Sequence, residues 1–166
     1  MKYVSLEEQL HTTSVTKLLI KLSLPATAAQ MVSALYSVVD RIYIRRIPNI
    51  GADALAGLGV CFPLIMFNTA ICILIASGSS ALSTIKMGEG NNKDASKLLN
   101  GSFTLLIATG IVLMAVMYLF LSPMLMFFGG SNNTLPYAVE YMEIYLLGTV
   151  VGQISLGMNY FINSQG

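Results

Sequence analysis

The sequence predicts an all-α, polytopic membrane protein with four transmembrane helices. Three observations predict it: long runs without a charged residue, hydrophilic or turn-forming breaks between those runs, and a composition 55% hydrophobic and only 10% charged over 166 residues. A mean hydropathy of +0.71 belongs to a chain whose solvent is lipid rather than water. The expected elements are a cytoplasmic tail or interfacial helix over residues 1–17, then spans over about 18–46, 54–86, 95–128 and 137–163.

In the tail, Ser5 and Glu8 have the spacing of a capping box, and Leu6 and Leu10 share one face, as in a short helix lying at the membrane surface. The apolar run before Ala26-Thr27-Ala28 has the look of a cleavable leader. Lys21 interrupts that run, however, and Glu7 and Glu8 stand where a basic segment belongs, so the first helix is expected to stay.

Between Lys21 and Asp40 lie 18 uncharged residues, about the length needed to cross a hydrocarbon core of roughly 30 Å. Gln30, Ser33, Ser37 and Asp40 recur at steps of three and four, which puts them on one face of a helix. A span with a polar seam that ends in a carboxylate lines something. Asp40 carries most of the functional signal, because a carboxylate at membrane depth costs about 3 kcal/mol on insertion scales and is usually functional or paired. Enclosed, it could exchange a proton or coordinate Na⁺; at the interface beside Arg41 and Arg45 it is one more solvated charge.

Pro48-Asn49-Ile50-Gly51 breaks the chain after the first span. The second follows as 32 uncharged residues from Ala54 to Ile85, long enough for a tilted or bent helix. Pro63 within it and Pro25 within the first span are expected to kink their helices. The small residues from Ala76 to Ala81 allow another backbone to come close. A hydrophilic loop from Lys86 to Asp94 precedes the third span, and Gly129-Gly130-Ser131-Asn132-Asn133 precedes the fourth. In that last helix, Glu140 and Glu143 sit near the favourable N-terminal end. Gly148 and Gly152 match the GxxxG contact motif, and Thr149, Gln153, Ser155, Asn159 and Asn163 form a second polar set, for which interhelical hydrogen bonds and substrate contact are both open. Gln30, Ser33, Tyr36, Ser37, Gln153 and Asn159 are the candidates for lining a cavity, which the chain's methionines and tyrosines would make adaptable.

Orientation follows from basic residues. Lys2, Lys17, Lys21, Lys86, Lys93 and Lys97 fall on one side of the membrane and Arg41, Arg45 and Arg46 on the other, which favours a cytoplasmic N-terminus. Enzyme signatures are absent: the one histidine, His11, lies in the tail, and neither a nucleophile-and-base set, a phosphate-binding glycine loop nor a metal-spaced cluster occurs. No cofactor is expected. With a net charge of +1 and no basic cluster among aromatics, nucleic acid is not an expected partner. Cys61 and Cys72, about 16 Å apart along one helix, are too distant for a disulfide and read as packing residues.

Four segments together are similar to the multidrug and toxic compound extrusion (MATE) family of cation-coupled efflux transporters. They are Leu24-Pro25 with Ala34-Leu35-Tyr36-Ser37-Val38-Val39-Asp40-Arg41; Gly51-Ala52-Asp53-Ala54-Leu55-Ala56-Gly57-Leu58-Gly59 with Phe62-Pro63; Gly78-Ser79-Ser80-Ala81 through Met87-Gly88 to Lys93-Asp94-Ala95; and Asn163-Ser164-Gln165-Gly166. The resemblance implies a plasma-membrane transporter of twelve helices in two six-helix lobes, exporting amphipathic, often cationic compounds in exchange for H⁺ or Na⁺. On that pattern, residues 18–166 are part of the N-terminal lobe. Pro25 matches the proline that bends the first helix, and Asp40 matches the acid implicated in cation coupling. Asn163-Ser164 stand where the family usually has arginine and alanine, so a role for that basic group has no support here. The acid's polar partners in the family come from later helices, so the fragment is expected to need the remainder of the transporter for activity. Two alternatives remain: a related lipid-linked saccharide flippase, and a four-helix membrane scaffold without transport.

Overall fold

A computed structural model describes residues 15–164, and the tail expected over residues 1–17 lies, for its first fourteen positions, outside the described residues, as do Gln165 and Gly166. The described residues are all-α without strand: α1 (Val15–Arg45), α2 (Gly51–Gly88), α3 (Asn92–Leu119), α4 (Leu121–Phe127) and α5 (Leu135–Ser164). They divide into two compact units, Met1–Gly51 and Ala52–Gly166. The first consists of α1, through which Pro25 passes without ending the helix, and of the turn after it, where Asn49 adopts a left-handed φ of 67°.

In the second unit, α2, α3 and α5 bring together one narrow stripe each. On α2 the buried positions are Gly57, Cys61, Leu64, Asn68, Cys72, Ala76, Ser80 and Ser83, spaced by three and four as one helical face requires. On α5 they are Ala138, Met142, Leu146, Thr149, Gln153, Gly157 and Phe161, and on α3 they include Ser102, Leu106, Gly110 and Met117. Contacts fix the register. The Cys61 thiol reaches the Ala138 carbonyl at 3.5 Å and Asn68 meets Gln153, so α2 and α5 run parallel. Gly110 packs on Val150 and Gly157 on Leu106, so α3 runs antiparallel to α5.

Both connections within this unit begin with the same device. Gly90 at φ 75° and Gly129 at φ 100° each follow a helix end, and the next residue's amide reaches five residues back: Asn91 to the Lys86 carbonyl and Gly130 to the Leu125 carbonyl, both at 2.9 Å. This left-handed cap satisfies carbonyls that a helix end otherwise strands in an apolar medium. Each following helix is capped in turn. The Asn91 side chain accepts from the Asp94 amide, and the Ser131 and Thr134 side chains and amides cap each other, as Asn and Ser do at N-termini.

The span expected over 95–128 is interrupted. The helix stops at Leu119 and restarts at Leu121, because Pro123 has no N–H for the Leu119 carbonyl and its ring crowds that same carbonyl. Pro63 has the same chemistry, yet α2 continues through it. The small residues of α2 let α5 come close: a methyl group on Gly57 would stand 2.9 Å from the Thr134 carbonyl.

Two helices, α2 and α3, are long and apolar enough to cross a membrane, and only 22% of each most apolar window is buried within the chain. A core helix of a water-soluble protein would be mostly covered. α1 and α5 are of comparable length, at 31 and 30 residues, but carry Gln30 and Asp40, or Gln153 and Asn159, within their apolar stretches.

Gly57→Ala is expected to lower the thermal midpoint of the purified chain in detergent, since overpacking costs about 1–3 kcal/mol against a helix-propensity gain of about 1 kcal/mol. Gly78, with open space where a Cβ would be, serves as the control, and Gly78→Ala should hold or raise the midpoint.

Candidate functional site

Hydroxyl groups along these helices are mostly satisfied locally. Thr69, Thr84, Thr104 and Thr109 donate to carbonyls four residues back at 2.7–3.0 Å, and Ser37 does the same to Ser33, which hides a hydroxyl in an apolar medium. A carboxamide has two ends and too long a reach for that solution. The buried amides therefore pair between helices: the Gln153 side-chain N–H donates to the Asn68 side-chain oxygen at 2.8 Å, with Gln153 2% and Asn68 4% exposed.

The pair forms a wall of a pocket of about 330 Å³ between α2 and α5. Thr69 and Cys72 line it from α2, and Tyr145, Gly148, Thr149, Gly152 and Leu156 from α5. None of its lining residues is charged. Cys72 donates through its thiol to the Gln153 backbone carbonyl at 3.4 Å, and Tyr145 stacks on Tyr141 with ring centres 6.4 Å apart. The Gln153 side-chain oxygen is buried without a hydrogen-bond partner and faces α3 at Gly110, where an added methyl would lie 3.1 Å from it. A buried acceptor left empty costs about 1–3 kcal/mol, so this oxygen stands to gain from a donor.

Of the residues expected to line a cavity, Gln153 is brought into this pocket. Asn159 is exposed and accepts from the Asn163 side chain at 2.6 Å. The polar set of the last helix is thus split: Thr149 and Gln153 turn inward, while Ser155, Asn159 and Asn163 are exposed. Gln30, Ser33, Tyr36, Ser37 and Asp40 are exposed on α1, in the other unit. Gly148 and Gly152 have no atom within 4 Å of where a side chain would begin; this GxxxG pair opens space for the pocket, and the close backbone contacts use Gly57, Gly110 and Gly157 instead. Cys61 and Cys72 are both free and buried. Asn68 escaped the sequence reading, although it is the lone carboxamide in the 32-residue uncharged run. That isolation is the signal that could have found it, since an amide in lipid needs a partner on another helix.

A family model, MatE, matches residues 25–166. A curated FAD transporter of Shewanella oneidensis is 25% identical over 150 residues, covering 90% of this chain and 32% of that protein. The chain therefore spans about a third of the length of this curated relative. No solved structure matches it. Matched from Pro25 onward through its pocket-forming helices, the chain belongs to the MatE family.

Proposed function

We propose that this chain is part of the N-terminal lobe of a twelve-helix secondary transporter, contributing four transmembrane helices, and that the transporter exports amphipathic, often cationic compounds in exchange for H⁺ or Na⁺. The observation that carries the reading is the uncharged pocket built on the Asn68–Gln153 pair in a chain of this family. A flat apolar cation whose charge is delocalised needs apolar and aromatic walls and a few neutral hydrogen-bonding groups, which this pocket offers. Its volume lies at the low end for small-molecule sites, as expected of a wall completed by other parts of a transporter. Asp40 is the coupling group in this reading, taking up H⁺ or Na⁺ as the surroundings of α1 change. The protein sits in the plasma membrane with its N-terminus in the cytoplasm, as the distribution of Lys and Arg favours.

A second reading comes from the relative named as an FAD transporter, in which the cargo is a flavin dinucleotide. A diphosphate calls for cationic donors, and none lines the pocket beside Asn68. This favours the organic cation at this site. Export of a flavin would need basic groups from elsewhere in the transporter.

In a full-length transporter carrying these residues, Asp40→Asn should abolish gradient-driven export of a lipophilic cation from proteoliposomes while leaving insertion intact; unchanged export would make Asp40 an interfacial charge. The amide pair separates a transporter from a scaffold. Asn68→Leu alone should destabilise by about 1–3 kcal/mol by stranding the Gln153 amide. Asn68→Leu with Gln153→Leu should regain most of that stability, because both partners are removed together. If the pocket contacts cargo, this stable double variant still loses export; if the pair serves packing alone, export is retained.

A further inference from the structure

A second pocket, of about 460 Å³, lies between α2 and α3 near the turn that joins them. It is distinct from the pocket beside Asn68 in place and in chemistry. Lys86 at the end of α2 and Asp94 and Lys97 in the first turns of α3 form its mouth, while Leu98, Leu105 and the small residues Ser79 and Gly101 line its length. Both helices are apolar enough to cross a membrane. On the membrane-spanning reading proposed above, the pocket runs from the membrane–water boundary into the hydrocarbon, with its charged residues at the wet end.

The deep end holds an unexplained polar group. Ser102 is 3% exposed and lines the pocket, and its hydroxyl has no hydrogen-bond partner. Unlike the threonines of α3, it does not donate to a carbonyl of its own helix. At 1.5 Å per residue, Ser102 lies about 7.5 Å below Lys97 along α3, and Ser79 about 10 Å below Lys86 along α2. Each ammonium engages one carboxylate, Lys86 with Glu89 at 2.7 Å and Lys97 with Asp94 at 2.8 Å. An ammonium has three N–H donors, so each retains others for a ligand.

We propose that this pocket is a binding site for a glycerophospholipid. The phosphate sits between the Lys86 and Lys97 ammonium groups, an ester carbonyl accepts from the Ser102 hydroxyl a few ångströms deeper, and an acyl chain lies along Leu98 and Leu105. Glu89 and Asp94 balance the charge of the two ammonium groups, so the headgroup is held by the N–H donors that the lysines retain rather than by net positive charge. A free phosphate would satisfy the lysines but not the buried hydroxyl or the apolar walls. The assignment does not depend on what the transporter exports.

The test is native mass spectrometry of the full chain purified in a mild detergent and titrated with palmitoyl-oleoyl-phosphatidylglycerol. One lipid per chain should be retained, and 10-fold molar excess of inorganic phosphate over lipid should not displace it. Lys86→Ala with Lys97→Ala should weaken retention on the order of tenfold, and Ser102→Ala about threefold with no loss of thermal stability. Displacement by inorganic phosphate would make this an anion site and overturn the lipid assignment. Equal retention by the double lysine variant would reduce it to nonspecific lipid around the helices, and absence of any retained lipid would mean that another element covers the groove; either result overturns the proposal.

Discussion

The hydrogen bond between Asn68 and Gln153 is the interaction on which the second unit depends. In lipid, apolar side chains gain little by leaving hydrocarbon for one another, so helices associate through close packing and through polar groups that have nowhere else to go. Hydroxyls on these helices mostly fold back on their own backbones and therefore say little about neighbours. The two buried amides instead bond to each other, and the Asn68–Gln153 bond at 2.8 Å fixes α2 against α5 in one register. The same residue, through its unpaired oxygen, faces Gly110 of α3. Three helices thus meet at one polar group, and the pocket opens beside it.

Small residues make that meeting possible. The Gly57 backbone lies against the start of α5, and Gly157 takes the Leu106 side chain directly onto its backbone. The thiols of Cys61 and Cys72 do double duty as small packing groups and as donors to carbonyls of α5. Away from these contacts, large apolar residues such as Leu74, Leu119, Ile144 and Leu147 are at least 70% exposed, as expected of surfaces meant for lipid or for other helices. The unit therefore buries small and polar residues beside large apolar ones such as Leu64, Leu106, Met142 and Phe161, and keeps an apolar exterior as well, as a bundle in lipid does.

The helical class and the loops were legible in the sequence because they depend on strong local signals. The chain turns at residues 89–91, within the hydrophilic stretch from Lys86 to Asp94 whose ends belong to α2 and α3, and at the Gly129-Gly130 break. The all-α character followed from uncharged runs too long for strands. The interior of the unit was less legible, because hydrophobicity has little contrast when both faces of a helix are apolar. Asn68 stands out only as a lone amide, and the spacing of the polar set of α5 does not tell that Thr149 and Gln153 turn inward while Ser155, Asn159 and Asn163 are exposed. Pro123 was present in the sequence, but its apolar neighbours concealed the break after Leu119. The GxxxG pair shows the limit of a motif without context: Gly148 and Gly152 have the spacing of a contact and serve as open space.

The two pockets on α2 divide the helix by depth. Near Asn68 the walls are uncharged and flanked by tyrosine, and beyond Ser79 they end in lysines at the turn. This division matches the two proposals, a cargo pocket at Asn68 and a lipid site at the turn. The most direct test of the cargo assignment uses Gly148→Cys, which adds a thiol at an open position of the first pocket, in a full-length transporter otherwise without cysteine. The account predicts that a maleimide labels this position and that tetraphenylphosphonium slows the labelling in a saturable manner. Labelling at the same rate with and without the cation would contradict it.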